Sequence, residues 1–119
     1  MANTRRGRSV ERFVRGDVVV IPFPYSDLTN SKRRPALVLA ESSYDDLILC
    51  QITSQALKDA YAINLSENDF TDGKVFKISN IRPNKLFTAD SSIVLYKIGS
   101  LKPHKLEEVI DIIVNIFKK

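Results

Sequence analysis

The 119-residue chain contains no tryptophan, a single histidine and a single cysteine, and each scarcity removes a class of chemistry. With Cys50 alone, no disulfide can close within the chain, and a cysteine-based zinc site is excluded. With His104 alone, paired-histidine metal motifs are excluded, as is any nuclease that uses two histidines as acid and base. A Ser-His-Asp triad remains formally open, but His104 follows Pro103 at the start of an expected helix, where a solvated side chain is the plainer reading. No metal or cofactor is expected. Long apolar runs are missing as well: Val109 to Phe117 is broken by Asp111 and Asn115 and falls short of the roughly 18 residues a membrane span needs. The positive charges at the N-terminus are not followed by an apolar stretch, so no secretory signal and no membrane partner are expected. The cysteine usage suits the reducing cytoplasm.

What is present is an ordinary globular balance, 44% apolar and 27% charged, which excludes wholesale disorder and fits one domain. The net charge of +4 favours approach to a polyanion, and its distribution is more telling than its size. Arg5, Arg6, Arg8, Arg12 and Arg15 crowd the start against Glu11 alone, and Lys32, Arg33 and Arg34 form a second run. Residues 1–14 read as a basic, flexible N-terminal arm and residues 15–119 as the domain.

Within the domain, short β-branched segments alternate with turn residues. Val18 to Ile21 opens a strand behind Gly16-Asp17, and Pro22 and Pro24 are expected to end it. Ser26 to Arg33 reads as a loop, Ala36 to Ala40 as a second strand and Leu47 to Thr53 as a third. Ala60 to Leu65 and Val75 to Ile81 alternate as strands, with an Asp-Gly turn signal in Asn68 to Gly73 between them. Lys85 to Thr88 and Tyr96 to Gly99 add short strands. The chain closes with a helix from Pro103, whose Leu106, Val109, Ile110, Ile113 and Phe117 form one stripe, with Ile112 and Val114 off it. The whole is mostly β with one α-helix, an α+β fold built as a small sandwich or barrel.

Four stretches, in order, resemble the MazF/PemK toxin family: Gly16-Asp17-Val18-Val19 with Pro22-Phe23-Pro24, Arg33-Arg34-Pro35 leading into Ala36 to Leu39, Gln51-Ile52-Thr53-Ser54-Gln55, and Ser79-Asn80-Ile81-Arg82-Pro83-Asn84-Lys85-Leu86. The resemblance implies an SH3-like barrel of the CcdB/PemK kind with a C-terminal helix, usually a homodimer. It also implies metal-independent cleavage of single-stranded RNA through a 2′,3′-cyclic phosphate, and silencing by a cognate antitoxin protein.

By the same resemblance Arg34 matches the family's catalytic arginine and Thr53 its phosphate-contacting hydroxyl. A guanidinium presents a planar fork of donors to phosphate oxygens, so Arg34 suits charge stabilisation better than proton abstraction. Lys32, Arg33, Ser54, Gln55, Arg82 and Lys85 are candidate RNA contacts, and Tyr25 a candidate stacking surface for an unpaired base. The sequence departs from some members at Ser79, roughly aligned with their acidic residue. The alternative reading is therefore a catalytically silent RNA- or protein-binding module on the same barrel. A gyrase-directed toxin of the CcdB family shares the architecture, but the Arg34-Pro35 motif and the missing tryptophan speak against it.

Overall fold

The computed structural model describes residues 12–23, 32–55, 59–74 and 77–119, with the backbone alone of Phe23. Within them run β1 (Asp17–Phe23), β2 (Lys32–Glu41), β3 (Asp46–Thr53), β4 (Ile63–Leu65), β5 (Phe70–Gly73), β6 (Ser79–Asp90), β7 (Tyr96–Leu101) and a closing helix α1 (Pro103–Lys118). The strands form one antiparallel sheet in the order β4-β6-β3-β2-β1-β7-β5, curled into a half-barrel.

Both faces of the central strands are covered, which is why β1 reads as an unbroken β-branched run and not as an alternation. On one face Val18, Leu37, Leu39, Cys50, Ile52 and Ile81 pack with Leu106 and Val109 of α1. On the other, Val19, Ile21, Ala36, Val38, Leu47 and Leu49 form a smaller cluster with Phe13. Each fully buried aliphatic side chain contributes about 1.5–3 kcal/mol, so the two clusters together dominate what holds the sheet. Phe13 lies in the stretch assigned from sequence to the arm, yet it is buried, while residues 1–11 lie outside the described residues.

The helix begins at Pro103, where a missing N–H costs nothing, and leaves His104 exposed. Its packed face is centred on Val109. Ile110, Ile112 and Ile113 therefore lie against the larger cluster, whereas Phe117 is 73% exposed. The expected stripe thus holds at Leu106, Val109, Ile110 and Ile113, is widened by Ile112 and ends before Phe117. No helix among the described residues is long and apolar enough to cross a membrane.

Several boundaries differ from the sequence reading, each for a backbone reason. β2 starts at Lys32, so Lys32 and Arg33 belong to a strand and not to the expected loop, whose remaining residues lie outside the description. Pro35 sits inside β2 because pairing with β3 begins only at Ala36; on its β3 side Pro35 has no ladder bond to forfeit. Pro22 is tolerated likewise, since β1 pairs with β7 only as far as Val20. Ala60 to Ala62 are not strand: Asp59 folds them into a turn by accepting from the Tyr61 N–H at 2.9 Å. The Asp-Gly signal marks not a free turn but the end of β5, where Gly73 has φ +80° and lies against Gly99 of β7 too closely for a side chain. The two expected strands around Arg82 are a single β6, with Pro83, Asn84 and Lys85 held out of register in a bulge.

Candidate functional site

The face that carries the smaller apolar cluster turns polar towards the Arg34 end of β2. Three register pairs define the change: Ala36 opposite Gln51, Gln51 opposite Arg82, and Thr53 opposite Asn80. Side chains two residues apart on a strand share a face, so Arg34 and Lys32 lie on the same side as Ala36, and Thr53 on the same side as Gln51. Arg34, Gln51, Thr53, Asn80 and Arg82 therefore form one polar strip across β2, β3 and β6. Asn64 of β4, paired with Asn80 and exposed between buried Ile63 and Leu65, extends it. Neighbouring strands are about 4.8 Å apart, so the strip spans β2 to β4 in roughly 14 Å.

Arg34 is half-buried where β2 pairs with Ile21 of β1. Thr53 is only 5% exposed, and its Oγ1 accepts from the Gln55 N–H at 3.2 Å, which bends the chain away as β3 ends. The hydroxyl proton of Thr53 is not consumed by that bond. Ser54 and Gln55 are exposed just beyond it, and the Asn80 side-chain amide donates to the Gln55 carbonyl at 3.3 Å.

Arg82 is placed by an acid that the sequence reading did not single out. Its Nη2 lies 3.2 Å from Asp59 Oδ2, and both side chains are largely covered. Asp59 also accepts from the Tyr61 N–H and from Asn84. The Tyr61 bond first, then Arg82 and Asn84, hold its carboxyl below the usual carboxylate range despite an opposing push from burial. The turn itself is tied down from the helix end, where Lys119 Nζ donates to Tyr61 Oη at 2.9 Å and lies 5.2 Å over the ring. No local motif links Asp59 to Arg82, 23 residues on; only the fold brings them together.

The other candidates divide. Lys32 is exposed on the face of Arg34, whereas alternation turns the exposed Arg33 to the opposite face. Lys85 is exposed in the β6 bulge, and Tyr25 lies outside the described residues. Ser79 is buried, donates from Oγ to the Lys77 carbonyl at 3.0 Å, and shares the core face with Ile81. A carboxylate at that position would have faced away from the strip. Burial pushes the Cys50 thiol to about 12, so it is an inert core residue. Among the described residues no cluster of His, Cys, Asp or Glu is placed to hold a metal ion. The arrangement offers cations, amides and a hydroxyl in line, a donor-rich surface suited to the oxygens of a phosphodiester chain.

Comparison with known proteins bears on the family and the fold. A family model described as "PemK-like, MazF-like toxin of type II toxin-antitoxin system" matches residues 14–117. Among solved structures, a chain of the MazE-MazF complex from Deinococcus radiodurans superposes with a TM-score of 0.73 at 18% identity, covering 91% of this chain and 98% of that one. The Mycobacterium tuberculosis toxin MazF-mt6 gives 0.66 at 16% identity, covering 86% and 96%. An endoribonuclease in complex with its cognate antitoxin from a mycobacterial species gives 0.69 at 11% identity, covering 88% and 94%. No curated protein sequence matches the chain.

Proposed function

We propose, from the premise that the chain belongs to the PemK-like, MazF-like toxin family of type II toxin–antitoxin systems, that it is a metal-independent endoribonuclease of single-stranded RNA. The observation that carries this reading is the strip that brings Arg34, Thr53 and Arg82, far apart in sequence, onto one face. In the reaction the 2′-oxygen attacks phosphorus, the P–O5′ bond breaks, and a 2′,3′-cyclic phosphate and a 5′-hydroxyl result. Arg34 stabilises the extra charge on the phosphoryl oxygens, and Thr53 donates to one of them. Lys32, Ser54, Gln55, Arg82 and Lys85 hold flanking phosphates and sugars, Tyr25 stacks on a base, and Arg33, on the opposite face of β2, adds only to the long-range field. The toxin acts in the cytoplasm as a homodimer, and a cognate antitoxin covers the strip. Relatives described as a MazE-MazF complex and as an endoribonuclease with its antitoxin support that pairing. Residues 15–119 make the toxin domain, and the arginine-rich residues 1–14 add long-range attraction for the RNA.

The purified protein is expected to cut a varied single-stranded RNA pool in EDTA and to leave cyclic phosphate ends. Arg34→Ala should lower the rate by about 10²–10³ with an unchanged unfolding curve, the loss typical of one transition-state donor. Wild type that leaves every RNA intact sinks the nuclease reading. A second reading, a barrel that binds RNA without cutting it, draws on Asp59. That carboxylate already accepts from Tyr61, Arg82 and Asn84 and is a poor proton acceptor for a 2′-hydroxyl.

A further inference from the structure

We propose that Asp59 is a positioning residue that fixes the Arg82 guanidinium for a substrate phosphate, an inference that rests on the RNA-cleaving reading above. The carboxylate is held before any ligand arrives. Its Oδ1 takes the Tyr61 N–H at 2.9 Å, its Oδ2 takes Arg82 Nη2 at 3.2 Å, and Asn84 adds a third donor. The turn that carries it is closed by the Ala62 N–H donating to the Asp59 carbonyl at 3.1 Å and latched through Tyr61 to Lys119. A free arginine must give up its rotamer freedom when it grips an anion; here folding has already fixed the side chain.

The ion pair does not exhaust the donor. A guanidinium carries five N–H groups, and Asp59 engages one nitrogen, Nη2. The Arg82 side chain keeps 21% of its surface open, and its register opposite Gln51 sets it on the strip, beside the Thr53–Asn80 pair. The Arg82 Nε is itself buried without a partner among the described residues, so a phosphate oxygen would be met by the exposed part of the fork, pinned at one corner by Asp59. The Asp59–Arg82 unit thus acts as a rigid phosphate holder on the face that carries Arg34, two strands away, not as a second acid–base group.

The sign of one substitution separates this from plain electrostatics. Removing a carboxylate beside an RNA surface should tighten binding if charge alone matters. Asp59→Asn keeps the side-chain oxygen that closes the Tyr61 turn but loses the charge that pins Arg82. The probe is a random-sequence RNA pool with 2′-O-methyl groups, which cannot be cut because the nucleophile is blocked. On this probe Asp59→Asn should bind about tenfold more weakly, as expected for a misplaced substrate-holding group. Its slope of log affinity against log salt should fall by about 0.7, the value of one single-strand phosphate contact. Arg82→Ala should weaken binding at least as much, and adding Asp59→Asn to it should cost nothing further.

Tighter binding by Asp59→Asn, an unchanged salt slope, or an equal loss in the Arg82→Ala background overturns the inference. A wild type that cuts RNA while the cycle is additive refutes the positioning role alone. A wild type that neither cuts RNA nor binds the blocked pool removes the parent reading and this inference together.

Discussion

Among the described aspartates that hold a cation, Asp17 and Asp59 do so towards opposite sides of the sheet. Asp17, at the start of β1, is 2% exposed. It accepts from the Val14 N–H at 2.9 Å and Ser100 Oγ at 3.0 Å, with Lys97 Nζ at 3.4 Å. Asp59 makes a similar set of contacts to Tyr61, Asn84 and Arg82. The chemistry is nearly the same, yet the surroundings differ. Asp17 ties the entry of the chain to β7, on the far side of the sheet order from β3 and β6. Asp59 ties a turn to a guanidinium on the polar strip. The same three-donor arrangement fastens the fold at one end and presents a cation at the other.

The largest stability effect should come from Asp17. Asp17→Ala removes the acceptor of a backbone N–H and a hydroxyl and leaves both short of partners in a covered site, a cost of about 2–3 kcal/mol. Urea unfolding measures this directly. Cutting per folded molecule should stay at the wild-type level, because nothing at Asp17 reaches the strip. A variant that keeps full stability, or one that is stable but inactive, would collapse the distinction between the two aspartates.

That distinction was only half legible in the sequence. The β-branched run Val18 to Ile21, the apolar segments around Ala36 and Leu47, and the final helix announced themselves, because burial on a sheet or helix face imposes a period on neighbouring residues. Arg34 and Thr53 are candidates through ordered motifs, and strand alternation from the Ala36–Gln51 pair sets them on one face. Asp59 and Asn64 left no such trace. Each earns its place by pairing with a residue distant in the chain, and local spacing carries no record of that. Proline misled the reading twice, at Pro22 and Pro35, because its penalty depends on which neighbour a strand has at that residue. Ser79 is a different case: an aligned position carries no information about the face, and Ser79 lies on the core face.

A smaller effect follows from acidity. Folding depresses the Asp59 carboxyl below its unfolded value of about 3.9, so the folded state binds fewer protons there than the unfolded state. The resulting stabilisation is complete above the unfolded value and is lost as pH falls through the lower folded one. Between about pH 5 and pH 3, the urea midpoint of wild type should drop further than that of Asp59→Asn, which has no proton to gain at this site. Parallel pH profiles would mean that the Tyr61 and Arg82 contacts do not favour the charged form in solution.

The smallest effect tests whether burial, not the mere presence of an arginine–carboxylate pair, makes the Asp59 contact matter. Arg15 and Glu107 approach to 3.2 Å, the same distance as Arg82 and Asp59, but both side chains are more than half exposed. Water screens such a pair and both long side chains lose freedom in making it, so a double-mutant cycle on Arg15→Ala and Glu107→Ala should give a coupling below about 0.5 kcal/mol. In about 1 M salt the coupling should vanish, since the screening length there is near 3 Å. The Arg82–Asp59 cycle, read by unfolding under the same conditions, should keep most of its coupling, because its partners are largely withdrawn from solvent. Equal couplings, or equal sensitivity to salt, would show that distance alone sets these contacts and that the covered turn around Asp59 adds nothing to its hold on Arg82.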